Sequence, residues 1–169
     1  MISPSITLDP ATFPDLESLK SLKSVFMEKG TVTAGNSSGL NDGAAALVLS
    51  TATAAGSNGL KVKAKILGYS HSGVRPEVMG IGPIIAVKKL LEKTGLCEKD
   101  FDVIESNEAF AAQACAVSKE LKLNSEKVNP NGGAIALGHP IGATGAILTI
   151  KATHELERID GTLGLITMC

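Results

Sequence analysis

One stretch limits what this chain can fold into more than any other: Asn129-Pro-Asn-Gly-Gly-Ala-Ile-Ala-Leu-Gly-His-Pro-Ile-Gly-Ala-Thr-Gly145. Glycine frees the backbone for tight turns and close approach, and proline fixes its direction. Such a stretch cannot run as one long strand or helix. It reads as a tight loop that opens into a helix ending near Arg158. A second loop of the same kind, Ala34-Gly-Asn-Ser-Ser-Gly-Leu-Asn-Asp-Gly43, lies far upstream. The chain has 18 glycines, and the surplus gathers in 30–43 and 132–145 rather than spreading as in a linker. Glycine concentrated in two loops is the pattern expected where backbone closely approaches a ligand.

Between these loops the periodicity alternates. Leu16, Leu19, Leu22, Val25 and Phe26 stand at helical spacing over 15–27, with Gly30 as the stop. Leu47-Val48-Leu49 reads as the centre of a buried strand over 44–50. Val62, Ala64 and Ile66 mark a second strand within 60–75. A helix over 81–93 carries Ile84, Val87, Leu90 and Leu91 on one face and ends at Gly95. Phe101–Ser106 is a short apolar strand that breaks at Asn107-Glu108. A helix over 108–122 follows, with Phe110, Ala114, Val117 and Leu121 on one side. Residues 162–168 form a last strand. Segment 1–14 holds three prolines and reads as loop. Alternating helices and strands define an α/β layered fold in which mixed strand pairing is possible.

Composition narrows the function. The formal net charge is −1, with one Tyr, four Phe and no Trp. Neither a basic stripe nor base-stacking aromatics are there for nucleic acid. No stretch approaches the ~18–20 apolar residues of a membrane span, and the N-terminus lacks the pattern of a secretory signal. Cys97, Cys115 and Cys169 are odd in number and far apart, which offers no disulfide framework and no metal spacing. A reduced, cytoplasmic setting follows.

Three constellations carry candidate chemistry, and each has a bland alternative. Gly138-His139-Pro140 sits at a helix start, either as a functional imidazole or as a structural histidine in a tight turn. Asn107-Glu108-Ala109-Phe110 sits at a strand-to-helix corner. There Asn107 is either a helix cap or a carboxamide that holds a water or substrate oxygen, since α/β sites collect at the carboxyl ends of strands. Glu108 reads as a complement to the helix dipole. The 34–43 loop is either a plain turn or the lining of a ligand channel. Cys97, Cys115 and Cys169, taken singly, read as small buried hydrophobes. His71 and His154 read as surface or packing residues.

Taken together, four stretches resemble the thiolase family: GTVTAGNSSGLNDGAA at 30–45, SNEAFAAQA at 106–114, NGGAIALGHPIGATGA at 131–146 and GLITMC at 164–169. The resemblance runs from about Phe13 to the last residue. It implies a layered α/β/α fold with a mixed sheet. Residues 1–45 would be a loop and helix region carrying the CoA-contacting loop, and 46–169 the C-terminal domain, truncated at its end. In thiolases the asparagine of NEAF, the histidine of GHP and the cysteine before a glycine turn converge on one thioester. By matching motifs these are Asn107, His139 and Cys169.

The implied reaction interconverts acetoacetyl-CoA plus CoA with two acetyl-CoA. It needs a thiolate nucleophile and a stabilised carbanion beside a thioester carbonyl. His139 would act as base toward the nucleophile and, with a water held by Asn107, would stabilise the enolate oxygen. Cys169 would move the proton at the α-carbon, a task that suits a thiol of pKa near ~8.5. Ala34 and Ser38 would touch the pantetheine arm, and Phe26, Ala109 and Phe110 would line the acyl pocket. The family implies acyl-CoA and CoA as partners, no metal or redox cofactor, and a homo-oligomer in full-length form.

The family's acylated cysteine belongs to an N-terminal half, and no residue here replaces it. The glycine turn after the last cysteine is also missing. Truncation and inactivity of the isolated chain are therefore expected. Two alternatives stand: a piece of a longer-chain 3-ketoacyl-CoA thiolase, and a non-catalytic CoA-binding or interaction protein on half the fold.

Overall fold

The computed structural model describes residues 15–169, so the loop expected over 1–14 lies outside the described residues. In chain order the helices are α1 (Leu16–Lys20), α2 (Ala52–Ser57), α3 (Gly82–Thr94), α4 (Ala111–Glu120), α5 (Ala134–Leu137) and α6 (Ile141–Ile159). The strands are β1 (Val103–Ser106), between α3 and α4, and β2 (Gly164–Thr167), after α6.

β1 and β2 pair in parallel, with Val103 opposite Gly164 and Ser106 opposite Thr167. On the other side of β1, Ile104 N–H donates to the Lys127 carbonyl at 2.8 Å, and Asn129 N–H donates to the Ile104 carbonyl at 2.8 Å. β1 is thus central, and all four of its residues are buried. Alternate residues of a strand face opposite sides of the sheet. Ile104 joins Val87 of α3 and Val117 and Leu121 of α4, along with Phe101, Val128 and Leu165, in the main apolar cluster. Glu105, pointing the other way, meets Lys151 of α6 at 2.7 Å. Helices therefore cover both faces, which is the α/β/α layering. Antiparallel pairing occurs as isolated bridges, Ser24 to Thr33 and Ser37 to Phe110.

Local chemistry explains the helix ends. α3 stops where Gly95 takes φ 71°, a left-handed conformation that costs glycine little. α6 ends the same way at Asp160, φ 55°. The turn into β2 is pinned by Asp102, whose carboxylate accepts from Thr162 N–H at 2.8 Å and Leu163 N–H at 3.1 Å. Those two backbone bonds hold its pKa below the ordinary aspartate value.

Several expectations need correction. The helix expected over 15–27 is a single short turn ending at Lys20, after which Val25 N–H bonds back to the Val32 carbonyl. Neither 44–50 nor 60–75 forms a strand. Val48 is 92% and Ile66 68% exposed. An apolar run becomes a strand only when a neighbour completes its ladder, and among the described residues these segments find none. The helix expected from 108 starts at Ala111, because Asn107–Phe110 is engaged elsewhere. Cys97 and Cys115 are exposed rather than buried.

Candidate active site

Asn107 and Met168 are the residues that follow the last paired positions of β1 and β2, and Asn107 N–H donates to the Thr167 carbonyl at 2.9 Å. Parallel strands deliver both residues to the same edge of the sheet. Asn107 does not cap α4, whose N-cap is Phe110 with no side-chain bond. Its carboxamide is 1% exposed, and Nδ2 lies 3.4 Å from His139 Nε2. Its Oδ1 is buried without a partner among the described residues.

His139 is held from both sides. Its backbone N–H donates to Asn41 Oδ1 at 3.1 Å, and its Nδ1 lies 2.8 Å from Thr144 Oγ1 in the first turn of α6. Gly138 takes φ 95°, and a Cβ there would lie 2.6 Å from Asn41 Oδ1. Only glycine fits such a position.

Beneath this pair lies a polar layer that sequence reasoning missed. The Asn129 side chain covers the edge of β1 at Ser106, accepting from its N–H at 2.8 Å and donating to its carbonyl at 2.9 Å. Asn129 Nδ2 also reaches Glu108 Oε1 at 3.1 Å, and Ile135 N–H reaches Glu108 Oε2 at 3.3 Å. Glu108 is therefore a buried clamp on the glycine loop, not a dipole complement. Gly133 is required because a Cβ there would come within 2.1 Å of the Glu108 carboxylate. Glu105 pairs with Lys151, which also donates to the Gly132 carbonyl at 2.6 Å. Burial pushes the pKa of both Glu105 and Glu108 up. The available signal was Glu105, a carboxylate inside an apolar strand, and Lys151, a cation among the apolar residues of α6.

The upstream loop docks on the same corner. Ser38 donates to the Ala109 carbonyl from its N–H at 3.0 Å and from its hydroxyl at 3.2 Å. Phe26 and Phe110 meet edge to face, with centroids 5.7 Å apart, although Phe26 is 69% exposed. Ala34 is exposed in a short turn nearby. Cys169 has left the β1–β2 ladder, and no hydrogen bond among the described residues joins its thiol to Asn107 or His139. Although the residue is exposed overall, desolvation around the thiol pushes its pKa up. A cleft of about 440 Å³ runs between 61–68 and α3, α6 and β2, and neither Asn107 nor His139 lines it. Among the described residues no three His, Cys, Asp or Glu side chains gather as a metal site. No described helix is long and apolar enough to cross a membrane.

A carboxamide thus lies against an imidazole at the carboxyl edge of a parallel sheet, flanked by two glycine loops. The chain belongs to the thiolase family. Residues 60–169 match the thiolase C-terminal domain and 9–53 the thiolase N-terminal domain. Beta-ketothiolase BktB of Cupriavidus necator is 57% identical over 91% of this chain and 39% of its own length. A beta-ketoadipyl-CoA thiolase of Pseudomonas knackmussii is 58% identical over 91% and 39%. The crystal structure of the Bacillus anthracis acetyl-CoA acetyltransferase superposes with TM-score 0.88 at 52% identity, covering 90% of this chain and 39% of that one. The chain thus spans about two fifths of the relatives it matches.

Proposed function

We propose that this chain supplies the proton-handling side of a thiolase active site, acting on short 3-ketoacyl-CoA thioesters such as acetoacetyl-CoA. Its residues 1–45 serve as the end of the preceding segment, and 46–169 as the C-terminal domain. The observation that carries this reading is the 3.4 Å contact between Asn107 Nδ2 and His139 Nε2, beside the Ser38 loop seated on Ala109.

In thiolysis, His139 Nε2 takes the proton of a cysteine thiol contributed by the rest of the fold. The thiolate attacks the β-carbonyl, the bond between the α- and β-carbons breaks, and its electron pair moves into the thioester as an enolate. The newly formed Nε2–H, and a water held on Asn107, face that oxygen. One such donor is worth ~2.7–4 kcal/mol in the transition state. Cys169 then gives its proton to the α-carbon. Its raised pKa keeps the thiol protonated and suits it to donate. CoA completes the cycle by attacking the acyl-cysteine, and no metal or redox cofactor takes part.

The similarity to beta-ketoadipyl-CoA thiolases favours a second reading in which the acyl chain is longer or carries a carboxylate. The Phe26–Phe110 pair would then wall the tail. Ala34 and Ser38 would contact the pantetheine arm. The full enzyme works in the cytoplasm as a homo-oligomer.

The test is a thiolysis assay on acetoacetyl-CoA with two proteins: this chain alone, and this chain joined at both ends to the corresponding segments of the Bacillus anthracis relative. Turnover by the joined protein, abolished by His139→Ala, with none from the chain alone, is the expected result. Turnover that survives His139→Ala overturns the proposal.

A further inference from the structure

The contacts around His139 favour one arrangement of its ring proton. Thr144 Oγ1 lies 3.0 Å from the Pro140 carbonyl, an acceptor that cannot donate. A threonine hydroxyl has a single hydrogen, and a threonine in a helix commonly gives it to the carbonyl four residues back, here that of Pro140. The 2.8 Å contact between the same oxygen and His139 Nδ1 then runs the other way, from Nδ1–H to a hydroxyl lone pair. At the opposite side of the ring, Asn107 presents its amide Nδ2 to Nε2, a donor facing an acceptor. With the amide and hydroxyl in these orientations, both neighbours match the Nδ1–H, bare Nε2 form, since the bond made by one ring nitrogen sets the state of the other.

We propose that Thr144 is the positioning residue of this site. It is 3% exposed, sits in the first turn of α6, and locks His139 in the tautomer whose Nε2 lone pair points at Asn107. Pro140 takes part as the fixed acceptor that orients the hydroxyl, accepting from Thr144 N–H at 2.9 Å as well. The Pro140-to-Thr144 spacing of the loop is thus a device that sets which imidazole nitrogen is free. The use of that lone pair as a base rests on the thiolase reading above, whereas the tautomer does not.

The experiment is nitrogen-15 NMR of the histidine rings in the intact chain, which reports pyrrole-type and pyridine-type nitrogens separately and needs no turnover. The chain has three histidines, and His139→Gln identifies the resonances of His139 by their loss. The expected result is a pyrrole-type Nδ1 and a pyridine-type Nε2 for His139. In Thr144→Val the ring should pass to a mixture or to the Nε2–H form, and Thr144→Ser should restore the original pattern. A His139 that carries its proton on Nε2 in the unaltered chain overturns the proposal. So does a Thr144→Val spectrum identical to the unaltered one. If Thr144→Val does not fold, the unaltered chain and Thr144→Ser decide between these outcomes, because a serine hydroxyl that fails to hold Nδ1–H also overturns it.

Discussion

Asn129 occupies the edge of β1 as a side chain rather than as a strand, gripping the N–H and the carbonyl of Ser106 at 2.8 and 2.9 Å. It does so with its own backbone at φ 47°, in the left-handed region that asparagine tolerates better than most residues. The residue after Ser106 is Asn107, so this grip fixes the point from which the site projects.

Asn129→Ala leaves both Ser106 backbone groups buried and unpaired, and places alanine in a strained conformation. A loss of about 2–4 kcal/mol is expected, read as a lowered urea midpoint with unchanged slope. A midpoint within error of the unaltered chain would show that Ser106 finds other partners.

Lys151→Met strands the Glu105 carboxylate, which is 0% exposed and already keeps one oxygen without a partner among the described residues. Leaving such a charge uncompensated costs about 3–5 kcal/mol. Adding Glu105→Gln should recover most of that loss, because the remaining group is neutral. The measurement is a double-mutant cycle by denaturant unfolding, and strictly additive costs would count against the pairing.

Gly133→Ala is expected to destabilise by about 1–3 kcal/mol through overpacking, although φ at Gly133 is −109° and suits alanine. The nearest obstacle is the Glu108 carboxylate. In a Glu108→Ala background the same change should cost much less. Equal costs in the two backgrounds would place the strain elsewhere.

Acid should weaken the chain through Glu155. Its bonds to Arg158, and then to Asn131, hold its pKa at about 2, down from 4.5. A depressed folded-state pKa gives stability that is present above pH 4.5 and lost as the pH falls toward 2. The depression corresponds to at most about 3 kcal/mol. With the Arg158 side chain 67% exposed, screening leaves about 1–2 kcal/mol. Glu105 and Glu108, with raised pKa values, act with the opposite sign. The informative quantity is therefore the difference between the unaltered chain and Glu155→Gln across this window. It should be largest at the upper end and shrink toward pH 2.

The sequence shows α3 and α6 because their stops are chemical, with Gly95 and the residues around Asp160 able to take left-handed backbone. It shows Asn107 as a candidate because a polar pair breaks an apolar strand there, and His139 because it stands between glycine and proline in a tight loop. The 44–50 and 60–75 segments mislead because strand formation depends on a neighbour, which local composition does not encode. Asn41, Asn129 and Thr144 stay hidden for a related reason. Each does its work on a backbone or ring atom remote in the chain or across a turn, and ordinary loop preferences explain such residues equally well. Glu108 is misread because a carboxylate ahead of a helix has a common surface role, and only packing reveals that 2% of it is exposed.

Val103 pairs with Gly164, and the offset stays constant along β1 and β2. A shift of one position between these strands would turn Asn107 away from the imidazole while leaving the apolar cluster partly filled. The Asp102 clasp on Thr162 and Leu163 thus acts as a distant alignment pin. Loosening it should blur the placement of Asn107 at the far end of the sheet.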